Sequence, residues 1–262
     1  MLTIKDYVLP KTLEEAYSIL NLNKNNAILG GCAFLRLGSK QIETAIDLSD
    51  LALKYINEKD NQIEIGAMTT LREIETSPVL QKNFSGILPE SVKNIGGVQL
   101  RNIVTVGGTV YSRYGFSDLI TALLSLDTDV VLHRKGRISL EEFLDKGAQK
   151  DILEKIIIRK TKCQASFKMM RNSAADYAIL NVAVSKNDND WKIAVGARPQ
   201  RAKIAKEAGK YLAGSKKTNE EIEEAAAIAT KELAFGSNTR GSKAYRESIC
   251  KVLVKRAIME VI

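Results

Sequence analysis

Apolar and polar positions along this chain alternate on two periods, and the switches between them lay out its elements. Thr12-Leu13-Glu14-Glu15 has the form of a capping box, and Leu13, Ala16, Tyr17 and Leu20 recur at helical spacing behind it. Asn21 to Asn26 ends that helix, and Ala27-Ile28-Leu29 reads as a short strand entering Gly30-Gly31-Cys32-Ala33. Ala45 to Leu48 and Ile63-Glu64-Ile65 read as further strands, and Thr69 to Ile74 as a short helix stopped before Pro78. Ile103, Val104 and Val106 alternate like a strand ending in a second glycine turn, Thr105-Val106-Gly107-Gly108-Thr109. Ser117 and Asp118 then stand where a cap belongs, before Leu119, Ile120, Ala122, Leu123, Leu124 and Leu126. Val130 to Leu132 closes the series as a strand.

The last hundred residues read differently. Lys155 to Lys160, Tyr177 to Ser185 and Trp191 to Ala197 suit strands of an antiparallel sheet, with Asn187 to Asp190 as a hairpin turn. Thr218-Asn219-Glu220-Glu221 caps a helix bearing Ile222, Ala225, Ala226, Ala229 and Leu233; a second, capped by Ser242, carries Tyr245, Ile249, Val252 and Leu253. The expected class is α+β, with a boundary near Lys160 separating residues 1–160 from 161–262. No Gly-x-Gly-x-x-Gly follows the first strand, which argues against a Rossmann domain.

A glycine pair after a strand is ordinarily plain turn chemistry. Two of them in one chain suggest more, because glycine lets a ligand approach the main chain and successive amides in such turns suit a phosphate. The expectation is two loops gripping one diphosphate.

The wider pattern sharpens this. Gln99-Leu100-Arg101-Asn102, then Thr105-Val106-Gly107-Gly108, then Asp118, then Leu123 to Asp127 resembles the flavoprotein subunit of molybdenum hydroxylases such as xanthine dehydrogenase and carbon monoxide dehydrogenase. Gly30-Gly31 followed by Ile46-Asp47-Leu48 resembles that family's first FAD loop and next strand. Phe167, Lys168, Arg171, Asp176 and Ala178 resemble a further motif, with Arg171 one residue early, and Arg240-Gly241-Ser242 with Tyr245-Arg246 resembles a C-terminal signature. Two departures stand out. Cys32, Ala33 and Phe34 replace the polar or small residue and acid usual after the first pair, and Thr109 replaces the usual asparagine after the second.

The resemblance implies a two-subdomain FAD-binding fold of the vanillyl-alcohol-oxidase-like type, split near residue 55, followed by a small antiparallel sheet with helices. It implies non-covalent FAD held by Leu29, Gly30, Gly31, Cys32, Ala33, Phe34, Thr105, Val106, Gly107, Gly108, Thr109, Asp118, Leu153 and Lys168. Read alone, Asp118 only complements a helix dipole, Leu153 is core and Lys168 is a strand lysine. Beside a flavin, Lys168 would stabilise an anionic reduced ring. Tyr111 and Tyr114 are placed to pack either on the flavin or on the surface, and Ile95 falls where relatives place an aromatic. The expected partners are an iron–sulfur small subunit carrying 2Fe–2S clusters and a large subunit carrying the molybdenum cofactor, with NAD or another acceptor receiving the electrons.

Composition bounds the alternatives. The 39 basic and 31 acidic side chains give a net charge of +8, yet no basic run stands apart from acids, so a nucleic-acid-binding module is the weaker reading. A self-sufficient FAD-dependent oxidoreductase would need a substrate domain, for which the residues after Lys160 leave little room. Met1 to Lys11 has no signal-peptide pattern, no apolar run suits a membrane span, and Cys32, Cys163 and Cys250 suit a reduced cytosol. An iron–sulfur cluster usually takes four thiolates, more than this chain has. His133, the only histidine, lies outside both glycine loops, and neither a metal site nor an acid–base triad is expected.

Overall fold

The computed structural model describes residues 1–147 and 150–262. In chain order the first elements are β1 (Thr3–Val8), α1 (Leu13–Leu22), β2 (Ala27–Leu29), β3 (Gln41–Asp47), β4 (Ile56–Glu58) and β5 (Gln62–Gly66). Short helices follow: α2 (Leu71–Thr76), α3 (Pro78–Lys82), α4 (Ile87–Val92), α5 (Val98–Ile103), α6 (Val106–Ser112) and α7 (Asp118–Ser125). Then come β6 (Thr128–Leu132), β7 (Gly136–Ser139), α8 (Leu140–Lys146), β8 (Leu153–Arg159), β9 (Gln164–Met170), β10 (Leu180–Asn187), β11 (Asp190–Gly196) and β12 (Lys203–Ile204). Helices α9 (Lys206–Gly214), α10 (Asn219–Glu232) and α11 (Lys243–Glu260) complete the chain. Among the described residues no helix is long and apolar enough to cross a membrane.

These elements form two compact units. The first comprises Met1–Glu73, Gly97–Ser112 and Thr128–Ile158. It holds a three-stranded sheet in the order β1-β3-β2 and a five-stranded sheet in the order β4-β5-β8-β6-β7. The small sheet is parallel, with Val8 opposite Ile46 and Leu29 opposite Asp47. Ala16 and Leu20 of α1 bury against Ile46, Leu48, Leu53 and Ile152, as the helical spacing predicts. Thr12 caps α1 by accepting the Glu15 amide at 3.1 Å, but the box is half made. The Glu15 carboxylate takes the Lys11 amide at 2.7 Å rather than that of Thr12.

Two expectations are corrected here. Ile103, Val104 and Val106 form no strand: α5 ends at Ile103, and α6 begins at Val106. Strand β8, read as the first strand of the C-terminal sheet, pairs instead with β6, Thr128 opposite Ile158. The N-terminal strand β1 has no counterpart among the predicted elements.

The second unit comprises Ile74–Gly96, Arg113–Asp127 and Arg159–Ile262. Its sheet runs β12-β11-β10-β9 and is antiparallel throughout. Alternation along β10 sorts its side chains onto two faces. Val182 and Val184 join the core with Ala208, Leu212, Ala225, Ala229, Leu253 and Ala257 of α9, α10 and α11. Asn181 and Ser185, on the other face, bond Asp118 at 2.6 Å and the Ser125 carbonyl at 2.5 Å, both on α7. The sheet therefore lies between α9–α11 and α7. Thr218 and Glu221 complete the capping box of α10, and Ser242 caps α11.

Cys250 sits inside this core, where burial pushes its thiol from 9.0 up to about 11 while Thr230 opposes the shift. A value raised in the folded state means the stability from the neutral thiol is complete below about pH 9 and lost as pH rises towards about 11. At pH 8 iodoacetamide should label the half-buried Cys32 and Cys163 in native protein and reach Cys250 only on unfolding. Peptide mass mapping with and without denaturant measures this; rapid native labelling of Cys250 would contradict the packing.

Candidate functional site

The two glycine pairs cross each other in the first unit. Strand β2 delivers Gly30 and Gly31 from the sheet edge, and Gly31 turns with φ +76° over the carbonyl of Ile103. A Cβ on Gly31 would stand 1.8 Å from that oxygen, so only glycine fits. A Cβ on Gly30 would lie 2.7 Å from the Gly108 Cα, and one on Gly108 would lie 2.4 Å from the Gly30 carbonyl oxygen. Gly107 meets Ala67 in the same way, at 2.8 Å from both its Cβ and its oxygen. Bare backbone is thus required first by backbone meeting backbone.

The amides of the second pair are taken. Val106 donates to the Thr69 carbonyl at 2.8 Å and Gly107 to the Ala67 carbonyl at 2.7 Å. Gly108 donates to the Thr105 hydroxyl at 3.0 Å, as the third residue of a capped helix does, and Thr109 donates to the Thr105 carbonyl. The acceptors on Ala67 and Thr69 are main-chain carbonyls, so no residue type in the sequence announces them.

The first pair differs. Among the described residues, the amides of Gly31, Cys32 and Ala33 have no acceptor in the chain, while that of Gly30 faces the Cys32 sulfur. Gly31 and Cys32 both hold left-handed backbone, Cys32 at φ +56°, before the 3₁₀ turn Leu35–Leu37. Consecutive amides in such a turn form a concavity that favours anions. Burial and the Asp47 carboxylate push the Cys32 thiol up, which keeps a competing thiolate out of the loop. Unpartnered donors over a Cβ-free crossing fit a flavin dinucleotide's diphosphate.

The remaining expected contacts are dispersed. Leu153 begins β8 and is buried in the first unit. Asp118 and Lys168 belong to the second unit, on opposite faces of its sheet. Lys168 lies opposite Val182, on the side of α9–α11, and pairs with Glu260 of α11. That hydrogen bond, with one from Ser166, holds the Glu260 carboxyl below its ordinary value. Asp118 is 4% exposed on the α7 side, with Oδ2 on Arg171 and Oδ1 on the Asn181 amide. Burial pushes its carboxyl up, and Arg171 and Asn181 pull it back.

Arg171 is the residue whose importance the motif spacing obscured. It also donates to the Asp176 carbonyl, so it ties the segment after β9 to the start of α7. Of the two loop tyrosines, Tyr111 accepts the Asp151 amide at 3.2 Å and leans on Phe143 in the first unit. Tyr114 stacks on Phe116 in the second, with ring centroids 5.1 Å apart, and Phe116 meets Tyr177 at 4.6 Å. Arg240 covers the Tyr177 ring at 4.7 Å. His133 is held between Glu154, at 2.8 Å, and Glu14, at 3.3 Å.

Residues 165–261 match the CO dehydrogenase flavoprotein C-terminal domain. The glyceraldehyde dehydrogenase medium chain of Sulfolobus acidocaldarius is 25% identical, covering 97% of each chain. The nicotinate dehydrogenase FAD-subunit of Eubacterium barkeri is 24% identical, covering 98% of this chain and 96% of its own. A carbon monoxide dehydrogenase structure from Hydrogenophaga pseudoflava superimposes with a TM-score of 0.90 at 24% identity, covering 98% of this chain and 96% of that one. Residues 2–161 match the FAD binding domain in molybdopterin dehydrogenase, and the chain belongs to that family as an oxidoreductase flavoprotein.

Proposed function

We propose that this chain is the FAD-carrying subunit of a molybdenum hydroxylase complex, in a fold of the vanillyl-alcohol-oxidase-like type. It takes electrons from 2Fe–2S clusters on a small subunit and hands them to NAD or another acceptor, while substrate is hydroxylated at a molybdenum cofactor on a large subunit. The relatives described as medium chain, medium subunit and FAD-subunit support this division of labour. The observation that carries the reading is the set of open amides at Gly31, Cys32 and Ala33, over the crossing with Gly107 and Gly108.

The chain's own residues bind and orient. Gly31, Cys32 and Ala33 offer three N–H donors to the diphosphate, with Leu29 and Phe34 bounding the turn. Gly107 and Gly108 contribute backbone without side-chain bulk rather than amides, because theirs, like those of Val106 and Thr109, are spent inside the fold. Roles for Thr105, Val106, Thr109, Asp118, Leu153 and Lys168 beside the cofactor rest on the family resemblance. Bound FAD supplies the redox chemistry, and the protein sets its position and electrostatics.

A carboxylate in the first loop tests this directly. Cys32→Asp places an anion among the open amides, at a left-handed position that aspartate tolerates, while leaving the glycine crossing untouched. The variant should keep its melting temperature without ligand and bind FAD about tenfold or more weakly, a loss of about 1.4 kcal/mol or more. Wild type should show the rise in melting temperature that ligand linkage demands, and the variant a smaller one at equal FAD. Equal affinity in the two proteins would remove this loop from the site.

A further inference from the structure

Helix α11 buries one side in the second unit's core, through Ile249, Cys250, Leu253, Val254, Ala257 and Ile258. Its opposite side should then be polar. Instead Tyr245, Val252 and Met259 follow at seven-residue spacing along it, 43%, 45% and 53% exposed. At that spacing a straight helix drifts only about 20° per step, so the three form one line. The line runs down the middle of the exposed sector.

Its borders are basic. Arg256 stands one turn after Val252 and Lys251 directly before it; both are exposed, and neither has an ion-pair partner among the described residues. The acids at the borders are engaged: Glu260 holds Lys168 and Ser166, and Glu247 faces Lys243 at 3.8 Å. An apolar seam between uncompensated cations is complementary to an apolar seam between acids. Two copies of α11 meeting here would set Lys251 and Arg256 against their own kind, which disfavours self-association.

We propose that this face of α11 docks an acidic polypeptide surface on another subunit of the complex, with Val252 at its centre. The inference rests on the reading that the chain works within a complex. It is independent of the FAD loop, which lies in the other unit.

The test uses the intact complex purified from the native host through a tag on this chain. Val252→p-benzoylphenylalanine, irradiated in that complex, should give an adduct mapping to an acid-rich segment of a different co-purifying subunit. Lys251→Glu/Arg256→Glu should lower recovery of that subunit at least tenfold. FAD content and the melting temperature of the double variant should match wild type, so a failure of docking is distinguishable from a failure of the flavoprotein reading. An adduct only to a second copy of this chain, or none to any polypeptide, would overturn the proposal. So would unchanged recovery of the subunit, or binding of phosphatidylglycerol vesicles that the double variant loses without any subunit adduct.

Discussion

Gly108→Val is expected to lose stability and FAD affinity together. Read from sequence, Gly108 is a loop residue kept bare for a ligand, and valine there would spoil binding while leaving the fold intact. The structure moves the conflict inside the protein. Gly108 is helical, and its added Cβ would stand 2.4 Å from the Gly30 oxygen and 3.1 Å from the Gly30 carbonyl carbon. Both are backbone, so no side chain can rotate away and the two segments must part. Overpacking of this kind costs about 1–3 kcal/mol, and valine's two further methyls put the expectation at the upper end. A loss of about 3 kcal/mol lowers the melting temperature by roughly 6–12 °C in a chain of this size.

Parting the segments also displaces the amides of Gly31, Cys32 and Ala33. Hydrogen bonds to a charged group contribute about 1.5–3 kcal/mol each, so losing two weakens FAD binding by roughly 10²–10⁴. Gly30→Ala should show the same paired defect, because the contact is mutual. Thermal unfolding of the apo-protein and FAD titration, compared with Cys32→Asp, separate the two effects. A Gly108→Val protein with wild-type melting temperature would mean the crossing relaxes without cost.

Why the crossing was only half legible follows from where its information lies. The helix of Leu13, Ala16, Tyr17 and Leu20 was readable because side-chain periodicity reports burial directly, and the caps at Ser117, Thr218 and Ser242 because oxygen chemistry marks them. Ile103, Val104 and Val106 misled because β-branched residues favour strands only weakly, and tertiary contacts overrode them. Main-chain bonds from Val106 to Thr69 and from Gly107 to Ala67 fix α6 in place, and neither involves a recognisable side chain.

The same limit hid the topology of β8. Its run of Ile156, Ile157 and Ile158 marks a strand buried on both faces but says nothing of which neighbour it takes. Resemblance supplied Asp118 and Lys168 as a set. Only the register of β9 on β10, with Lys168 opposite Val182, reveals that they face opposite sides of a sheet.

Arg246→Leu should be among the most destabilising single changes in the second unit. Sequence marks Arg246 only as part of a signature; the structure gives it a task. It is 1% exposed on α11, and its guanidinium donates to three main-chain carbonyls and one amide oxygen. The acceptors are Ile179 and Gly236 at 2.9 Å each, Gly241, and Asn238 Oδ1 at 2.7 Å. Burial pushes the guanidinium down, and Arg240 adds to that, yet an arginine remains charged at neutral pH. Leucine would roughly fill the aliphatic part of the space while taking the guanidinium from all four acceptors. The Gly241 carbonyl keeps the Asn238 main-chain amide and Asn238 Oδ1 the Arg240 amide, whereas the Ile179 and Gly236 carbonyls lose their donor. Each unsatisfied buried group costs about 1–3 kcal/mol, but relaxation shares the loss, so about 3–5 kcal/mol is expected. Lysine should recover part of this at most, since a point ammonium cannot reach four acceptors arrayed around a planar fork. Urea unfolding followed at Trp191, which lies in the same core, measures the difference. The midpoint should fall sharply with the slope unchanged, because the surface exposed on unfolding is the same. An unfolding free energy within about 0.5 kcal/mol of wild type would show that water replaces the guanidinium at little cost, and the signature arginine would then need another explanation.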